Sequence, residues 1–371
     1  PQPPVNPTPQ PPVNPAPQFN TFVSPYSDAY NSWLSSRTVA GNPNFLAASE
    51  SLKDKNYAQA NAAINAYLGA VVEHNIYGAV PQHAVLRLQH FRQHSLEGGK
   101  RLQAGEYLTK VGLATAREDF DNIAADHAST QLATAGLAYG INDQFTITAN
   151  AGLSRDKLTG FQDSRLKGNS IYGSVAAITG VDNFTFTTGL AYAHSDLSGE
   201  RYTGNGYDNH RFDADVKTNS FSLFGEAKYR LPLNEQFSLE PRAGLALNHV
   251  RINAQTENGA GALGLAKYSD NTLEASVGSN VVYTMPLAAG KLNAELGLDY
   301  VHTAGKAPMI ATFKDGSNFA LRTASQDNQL RIGAGLEYVS PTGLSLKTGL
   351  ANSFGDGGKD LNAFFKIGFK F

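Results

Sequence analysis

From about position 105 to position 371, apolar and polar side chains alternate with a period of two, the signature of extended strands with two unlike faces. In the last stretch Leu361, Ala363, Phe365, Ile367, Phe369 and Phe371 share one phase, while Asp360, Asn362, Phe364, Lys366, Gly368 and Lys370 share the other. Leu292, Ala294, Leu296, Leu298 and Tyr300 alternate in the same way with Lys291, Asn293, Glu295, Gly297 and Asp299. Twelve strands are predicted, at about 105–117, 128–141, 145–157, 167–180, 184–195, 216–231, 236–251, 270–286, 290–303, 325–339, 343–354 and 360–371. Most are about twice the mean soluble strand of about 5 to 6 residues, a length that a tilted bilayer crossing needs.

The connections sort by parity. Tight turns at 142–144, 181–183, 234–235, 287–289 and 341–342 alternate with longer links near 118–127, 158–166, 196–215, 252–269, 304–324 and 355–359. Short turns at one rim and long loops at the other are the asymmetry of an outer-membrane barrel, and an even strand count suits it. An open edge in lipid would leave backbone groups unpaired at several kcal/mol each, so the sheet must close. The expected fold is therefore an all-β transmembrane protein, a 12-stranded antiparallel outer-membrane β-barrel. Tyr139, Tyr192, Tyr229, Tyr283, Tyr300, Tyr338 and Phe371 fall near strand ends on the outward phase, as an aromatic girdle would. On the opposite phase lie Glu226, Glu240, Arg242, Glu274, Glu295, Asp299, Arg331 and Glu337, which must face a lumen. A charge aimed at mid-bilayer hydrocarbon would cost about 2 to 4 kcal/mol.

Upstream the pattern changes. Residues 1–17 hold more than half of the 17 prolines and repeat PQPPVNP, which makes 1–25 an extended polyproline spacer. Helical periodicity follows, with one helix expected from about Tyr57 to Glu73 and a second from about Gln82 to Glu97, before Gly98 and Gly99. The second carries Arg87, His90, Arg92 and His94 and lacks an apolar stripe wide enough for an ordinary core. At 1.5 Å per residue it is about 24 Å long, comparable with the roughly 25 Å apolar band of a barrel. Its charge and its closeness to the first strand place it in the lumen, where Arg87 and Arg92 would meet Glu226, Glu240, Glu274 or Glu295; the helix ending at Glu73 is the alternative occupant. The resulting division is spacer 1–25, helical linker or passenger stub 26–79, pore helix and lead-in 80–104, and barrel 105–371.

Composition narrows the function. Charged residues are 17%, below the roughly 25% of ordinary globular chains, and no run of about 18 apolar residues offers a spanning helix. A net charge of −2 gives no reason to expect nucleic acid. Cysteine is absent, which removes disulfides, thiolate metal sites and thiol catalysis together. The chain starts at Pro1, so it reads as a fragment or mature piece whose secretory leader, if any, lies outside it. Gly259 to Gly264 matches GxGxxG but precedes a strand, Ser170 lacks a nucleophile elbow, and His90 and His94 have the i, i+4 spacing of a metal pair without an HEXXH or an adjacent carboxylate. No cofactor, metal or catalytic group is expected from these.

A proline-rich spacer, helical sequence, and twelve amphipathic strands ending on an aromatic residue resemble the C-terminal translocator domain of autotransporters, the type V secretion family, over about residues 80–371. The resemblance implies a non-enzymatic anchor in the bacterial outer membrane that conveys an N-terminal passenger to the cell surface. It implies further that the last strand, through Phe365, Ile367, Phe369 and Phe371, is the signal read by the barrel assembly machinery. Outer-membrane lipid, periplasmic chaperones and the passenger itself are the implied partners of a monomer. No Asn-Asn pair occurs, so self-cleavage inside the barrel at such a pair is not expected. Two rivals stay open: a porin or small-solute channel, and a barrel protease or lipase, for which His194, His210 and His302 with Asp208 and Asp213 lie near the long-loop rim.

Overall fold

In the computed structural model the described residues are 27–35, 65, 67–96, 101–121, 125–204, 209–258, 262–305, 307–313 and 316–371. The expected polyproline spacer and the first half of the helix expected from Tyr57 lie outside them. Two helices are bounded, α1 (Ser27–Ser35) and α2 (Val80–Leu96), and a one-turn 3-10 segment (Ile76–Ala79) leads into the second. Asn75 caps that turn by accepting the amide of Tyr77 at 3.2 Å. Pro81 then sits in the first turn of α2, where its missing N–H costs nothing.

Twelve long strands make the barrel wall: β1 (Tyr107–Phe120), β2 (Ala125–Asn142), β3 (Phe145–Gly160), β4 (Arg165–Val181), β5 (Phe184–Gly204), β6 (Asn209–Tyr229), β8 (Phe237–Ile252), β11 (Tyr268–Leu287), β12 (Gly290–Ala304), β15 (Asn328–Val339), β16 (Leu344–Gly355) and β17 (Gly358–Lys370). Each pairs antiparallel with its chain neighbours in the wall, and β1 pairs with β17 from Leu108↔Lys370 to Phe120↔Gly358, which closes the cylinder. The seam ends in a reciprocal pair of backbone bonds between Tyr107 and Phe371 at 2.8 and 3.0 Å. A two-residue β7 (Leu231–Pro232) extends the β6 side of its hairpin.

The outward phase is apolar all the way round. Val111 and Leu113, Leu153, Ile171 and Val175, Leu245 and Leu247, Leu296 and Leu298, and Leu350 are all exposed on the wall. A monomer in water would not expose such a continuous band; a bilayer is the solvent that covers it. Aromatic rings gather at the tight-turn end, where Tyr107 contacts Tyr139 and Phe371, Phe184 contacts Tyr229, and Phe237 contacts Tyr283. At the other edge of the band Tyr192 and Tyr300 donate to Asn219 and Asn328 at 2.8 and 2.7 Å.

The long-loop rim departs from expectation in two ways. The links expected at 158–166 and 355–359 are short, because β3, β4, β16 and β17 run on past the apolar band, and β5 with β6 projects as a hairpin through much of 196–215. Period-two patterning reverses its phase there: above the band the inward residues Leu158, Leu166, Leu197, Phe212, Ala214 and Val216 are apolar and buried, while the outward ones, such as Arg165, Lys167, Arg211 and Asp213, are polar and exposed. The links at 252–269 and 304–324 are long but not structureless: they form β9 (Gln255–Thr256), β10 (Leu263–Leu265), β13 (Met309–Phe313) and β14 (Asn318–Leu321), one antiparallel sheet. That sheet caps the barrel mouth. Its Leu263, Leu265, Met309, Ala311, Phe313, Phe319 and Leu321 form a buried apolar cluster with Leu68, Val71, Ile76 and Tyr77, and with the upper lumen residues Leu158, Leu166 and Leu197.

Candidate functional site: a helix held in the lumen

α2 occupies the bore, and nearly every side chain on it is buried, polar ones included. This explains its poor amphipathicity: a helix surrounded on all sides by a polar wall needs partners everywhere, not one apolar stripe. Arg87 donates to Asp156 at 2.6 Å and to Ser170 at 2.8 Å, and the same carboxylate accepts from Thr130, Ser154 and Ser170. Arg92 donates to Glu274 at 2.6 Å and Ser222 at 3.0 Å and lies over the Phe224 ring. His83 bonds Glu118, and His90 bonds Asp360, both at 2.8 Å.

The C-terminal end of α2 has no glycine cap among its described residues, and lysines satisfy its last carbonyls. Lys366 of β17 donates to the carbonyl of His94 at 2.7 Å, and Lys110 of β1 donates to that of Ser95. Cations at this end also match the helix dipole. The His94 ring packs edge-on against Phe364 at 5.0 Å. One apolar contact locks the middle: Phe91 stacks on Tyr172 and presses against Gly152 of β3, where an added Cβ would come within 2.9 Å of the ring. Gly152→Val is therefore expected to overpack the lumen by about 1–3 kcal/mol. The check is a lower temperature for loss of compact electrophoretic mobility in detergent.

All eight wall charges expected to face inward line the cavity below the helix: Glu226, Glu240, Arg242, Glu274, Glu295, Asp299, Arg331 and Glu337. Of these, Glu274 bonds the helix, through Gln89 and Arg92. Arg87 reaches Asp156 instead, which the sequence reading did not name, although Asp156 sits on the inward phase of β3. Four others are paired within the wall: Arg242 forks onto Asp299 at 2.7 and 2.6 Å, Lys347 meets Glu295 at 2.8 Å, and Lys228 lies 3.3 Å from Glu240. Arg331 donates to Ser353 at 3.3 Å, and Glu337 accepts from Asn293 at 3.2 Å. The cavity, about 1150 Å³, lies toward the tight-turn end, and its upper lining is Arg92, Gln93 and His94. Phe365, Ile367, Phe369 and Phe371 point outward from the last strand.

Above the helix a second buried ion pair fastens the cap. Arg201 of β5 forks onto Glu257 at 2.6 Å through both Nε and Nη2, and its guanidinium lies 4.5 Å from the centre of the Phe212 ring. Glu257 also accepts from the Tyr77 hydroxyl at 3.0 Å and the Leu263 amide at 2.8 Å. Burial, reinforced by the Glu257 charge, pushes the Tyr77 hydroxyl well above its ordinary pKa and keeps it a donor. Backbone bonds from Arg322 to Val72 (3.0 Å) and from Ala324 to Gly78 (2.9 Å) tie the lead-in to the cap, and Phe313 donates to Ser32 of α1 at 3.2 Å.

A closed antiparallel cylinder of twelve strands with an apolar belt, a charge-balanced bore and a helix inside it defines an integral outer-membrane barrel plugged by its own chain. Residues 111–351 match the family described as autotransporter beta-domain, and the chain belongs to that family. Its fold is similar to the translocator domain of the autotransporter NalP from Neisseria meningitidis, with a TM-score of 0.63 at 15% identity, covering 79% of this chain and 98% of that one. It is also similar to the beta domain of the Bordetella autotransporter BrkA, with a TM-score of 0.54 at 16% identity over 71% of this chain and 98% of that one. No curated protein sequence matches. The chain is thus an outer-membrane translocator and anchor for an attached passenger.

Proposed function

We propose that the capped, long-loop end faces the cell surface, that the passenger precedes residue 80, and that α2 is the trailing segment left in the bore when export ends. The observation that carries this is the path of the chain. α2 enters the lumen beneath the cap, and the chain rejoins β1 at the tight-turn end, where the amide of Leu102 bonds Thr146 at 3.0 Å. The described residues before Ile76 that pack on the cap, Tyr30, Leu68 and Val71 among them, lie on that side. Residues 26–79 would be a linker or passenger stub and 1–25 a spacer, with the membrane domain beginning at 80. Exposing whole cells with an epitope placed before Pro1 to an external protease tests the orientation. The account expects loss of the epitope with the barrel intact, and a protected epitope contradicts it.

In this reading the domain makes and breaks no bond. Two of the imidazoles proposed for a barrel hydrolase sit on the outer wall, where His194 pairs with Asn219 at 3.0 Å and His302 with Asn328 at 2.9 Å, beside Tyr192 and Tyr300; Asp208 and the side chain of His210 lie outside the described residues. Such an amide, imidazole and phenol belt suits a membrane interface better than a substrate cleft. The porin reading is disfavoured by α2, which fills the bore above the cavity. The remaining partners are outer-membrane lipid on the apolar belt, periplasmic chaperones before insertion, and the barrel assembly machinery, for which outward Phe365, Ile367, Phe369 and Phe371 present one apolar edge at the seam. The wall has no open edge for a second copy, which supports a monomer.

A further inference from the structure

The helix and the barrel seam meet at a group of buried side chains that the ion-pair pattern leaves incomplete. Glu118 of β1 and Asp360 of β17 are direct register partners, and both face inward at 2% and 3% exposure. Like charges placed opposite each other in a sheet repel, and burial raises the cost. Against them α2 presents only imidazoles, two turns apart on one face: His83 to Glu118 Oε2 and His90 Nε2 to Asp360 Oδ2, each at 2.8 Å. Of the guanidinium groups nearby, Arg87 is committed to Asp156, and Arg331 bonds Ser353, the register partner of Asp360. Glu118 Oε1 and Asp360 Oδ1 are buried without a hydrogen-bond partner, as are His83 Nε2 and His90 Nδ1. His90, Glu118 and Asp360 each bring one ligand-type atom to a common point, all within 4.8 Å of one another.

We propose that His90, Glu118 and Asp360 bind one divalent transition-metal ion of the Zn²⁺ class, which staples α2 to both strands of the seam. One imidazole nitrogen with two carboxylate oxygens is a borderline donor set that suits Zn²⁺, Co²⁺ or Mn²⁺; Ca²⁺ would demand six to eight oxygens. Tetrahedral ligands on bonds of about 2.1 Å lie about 3.4 Å apart, so the present spread closes by side-chain adjustment alone. His83 acts one step out: its bond to Oε2 orients Glu118 and leaves Oε1 free toward the ion. The ion would neutralise the two carboxylates that face each other across the seam. This site differs from the His90 and His94 pair suggested by spacing, since His94 packs on Phe364 and the carboxylates come from strands far away in sequence.

The test uses the folded chain in detergent, stripped with a chelator and titrated with Zn²⁺ by calorimetry, with Co²⁺ absorption as a second probe. One ion per chain is expected, with Glu118→Gln and Asp360→Asn each weakening affinity about tenfold or more and His83→Gln by about 10–100-fold. His302→Gln, on the outer wall, is expected to bind as the parent does. Heat-modifiable gel mobility reports whether each variant folds. If one does not, X-ray absorption of the Zn²⁺-loaded parent still decides, since one imidazole among oxygens is expected. Absence of uptake by the folded parent overturns the proposal, as does unchanged affinity in folded Glu118→Gln and Asp360→Asn, or a site with two or more imidazoles.

Discussion

Deleting residues 80–96 is expected to turn a nearly silent barrel into an open channel. With α2 in place its buried side chains occupy the bore above the 1150 Å³ cavity, and the helix is fixed by Arg87 to Asp156, Arg92 to Glu274, two imidazole to carboxylate bonds and two lysines on carbonyls near its end. Without it the exposed lining is Asp156, Glu118, Asp360, Glu274, Ser170 and Ser222, which water solvates readily. Single-channel recording in planar bilayers should show conductance rising by about tenfold or more, with cation preference from the uncovered carboxylates. A large conductance in the parent, unchanged by the deletion, would make the chain a porin. The double variant Arg87→Ala with Arg92→Ala should fall between, with brief openings, because it removes the strongest contacts and keeps the helix.

The second large effect is expected at the cap. Arg201→Met leaves Glu257 buried with only Tyr77 and the Leu263 amide, and breaking a buried pair from one side costs about 3–5 kcal/mol. The cap should then open while the wall stays folded, seen as rapid cleavage within 253–267 by a protease added outside. Adding Glu257→Met should restore much of the resistance, since an apolar pair of similar volume is about neutral. Equal sensitivity of the single and double variants would show that the ion pair does not fasten the cap.

The barrel was legible in the sequence because lipid enforces it: every second residue of a strand inside the band is apolar, and a single phase error would show. That rule gave the twelve strands, the inward phase of Glu274 and Asp299, and the aromatic ends. It stopped at the membrane edge. The β5–β6 hairpin and the cap sheet are governed by local packing against Ile76, Tyr77 and each other, and the cap-sheet strands, of two to five residues, are too short for a period to emerge. The position of α2 could be argued from its unusual polarity, but its partners could not. Asp156 and Asp360 look like any inward carboxylate, and Glu118 falls in the link expected at 118–127, although β1 runs on to Phe120; only the register and the rotation of the helix bring them to Arg87, His90 and His83. The signal that was available for Asp156 was its neighbourhood, since Thr130 of β2 is its register partner, Ser154 lies two residues earlier on the same face of β3, and Ser170 of β4 pairs with Ser154.

The most direct test of the whole account is a cysteine scan of β15 read by lipid. The chain has no native cysteine, so single substitutions from Leu330 to Leu336 each carry one thiol for a bimane probe, and vesicles with brominated acyl chains supply the quencher. Strong quenching at 330, 332, 334 and 336 with little at 331, 333 and 335 is the predicted result, because the first set faces outward and the second faces the bore. Uniform quenching, or none at any position, would contradict it.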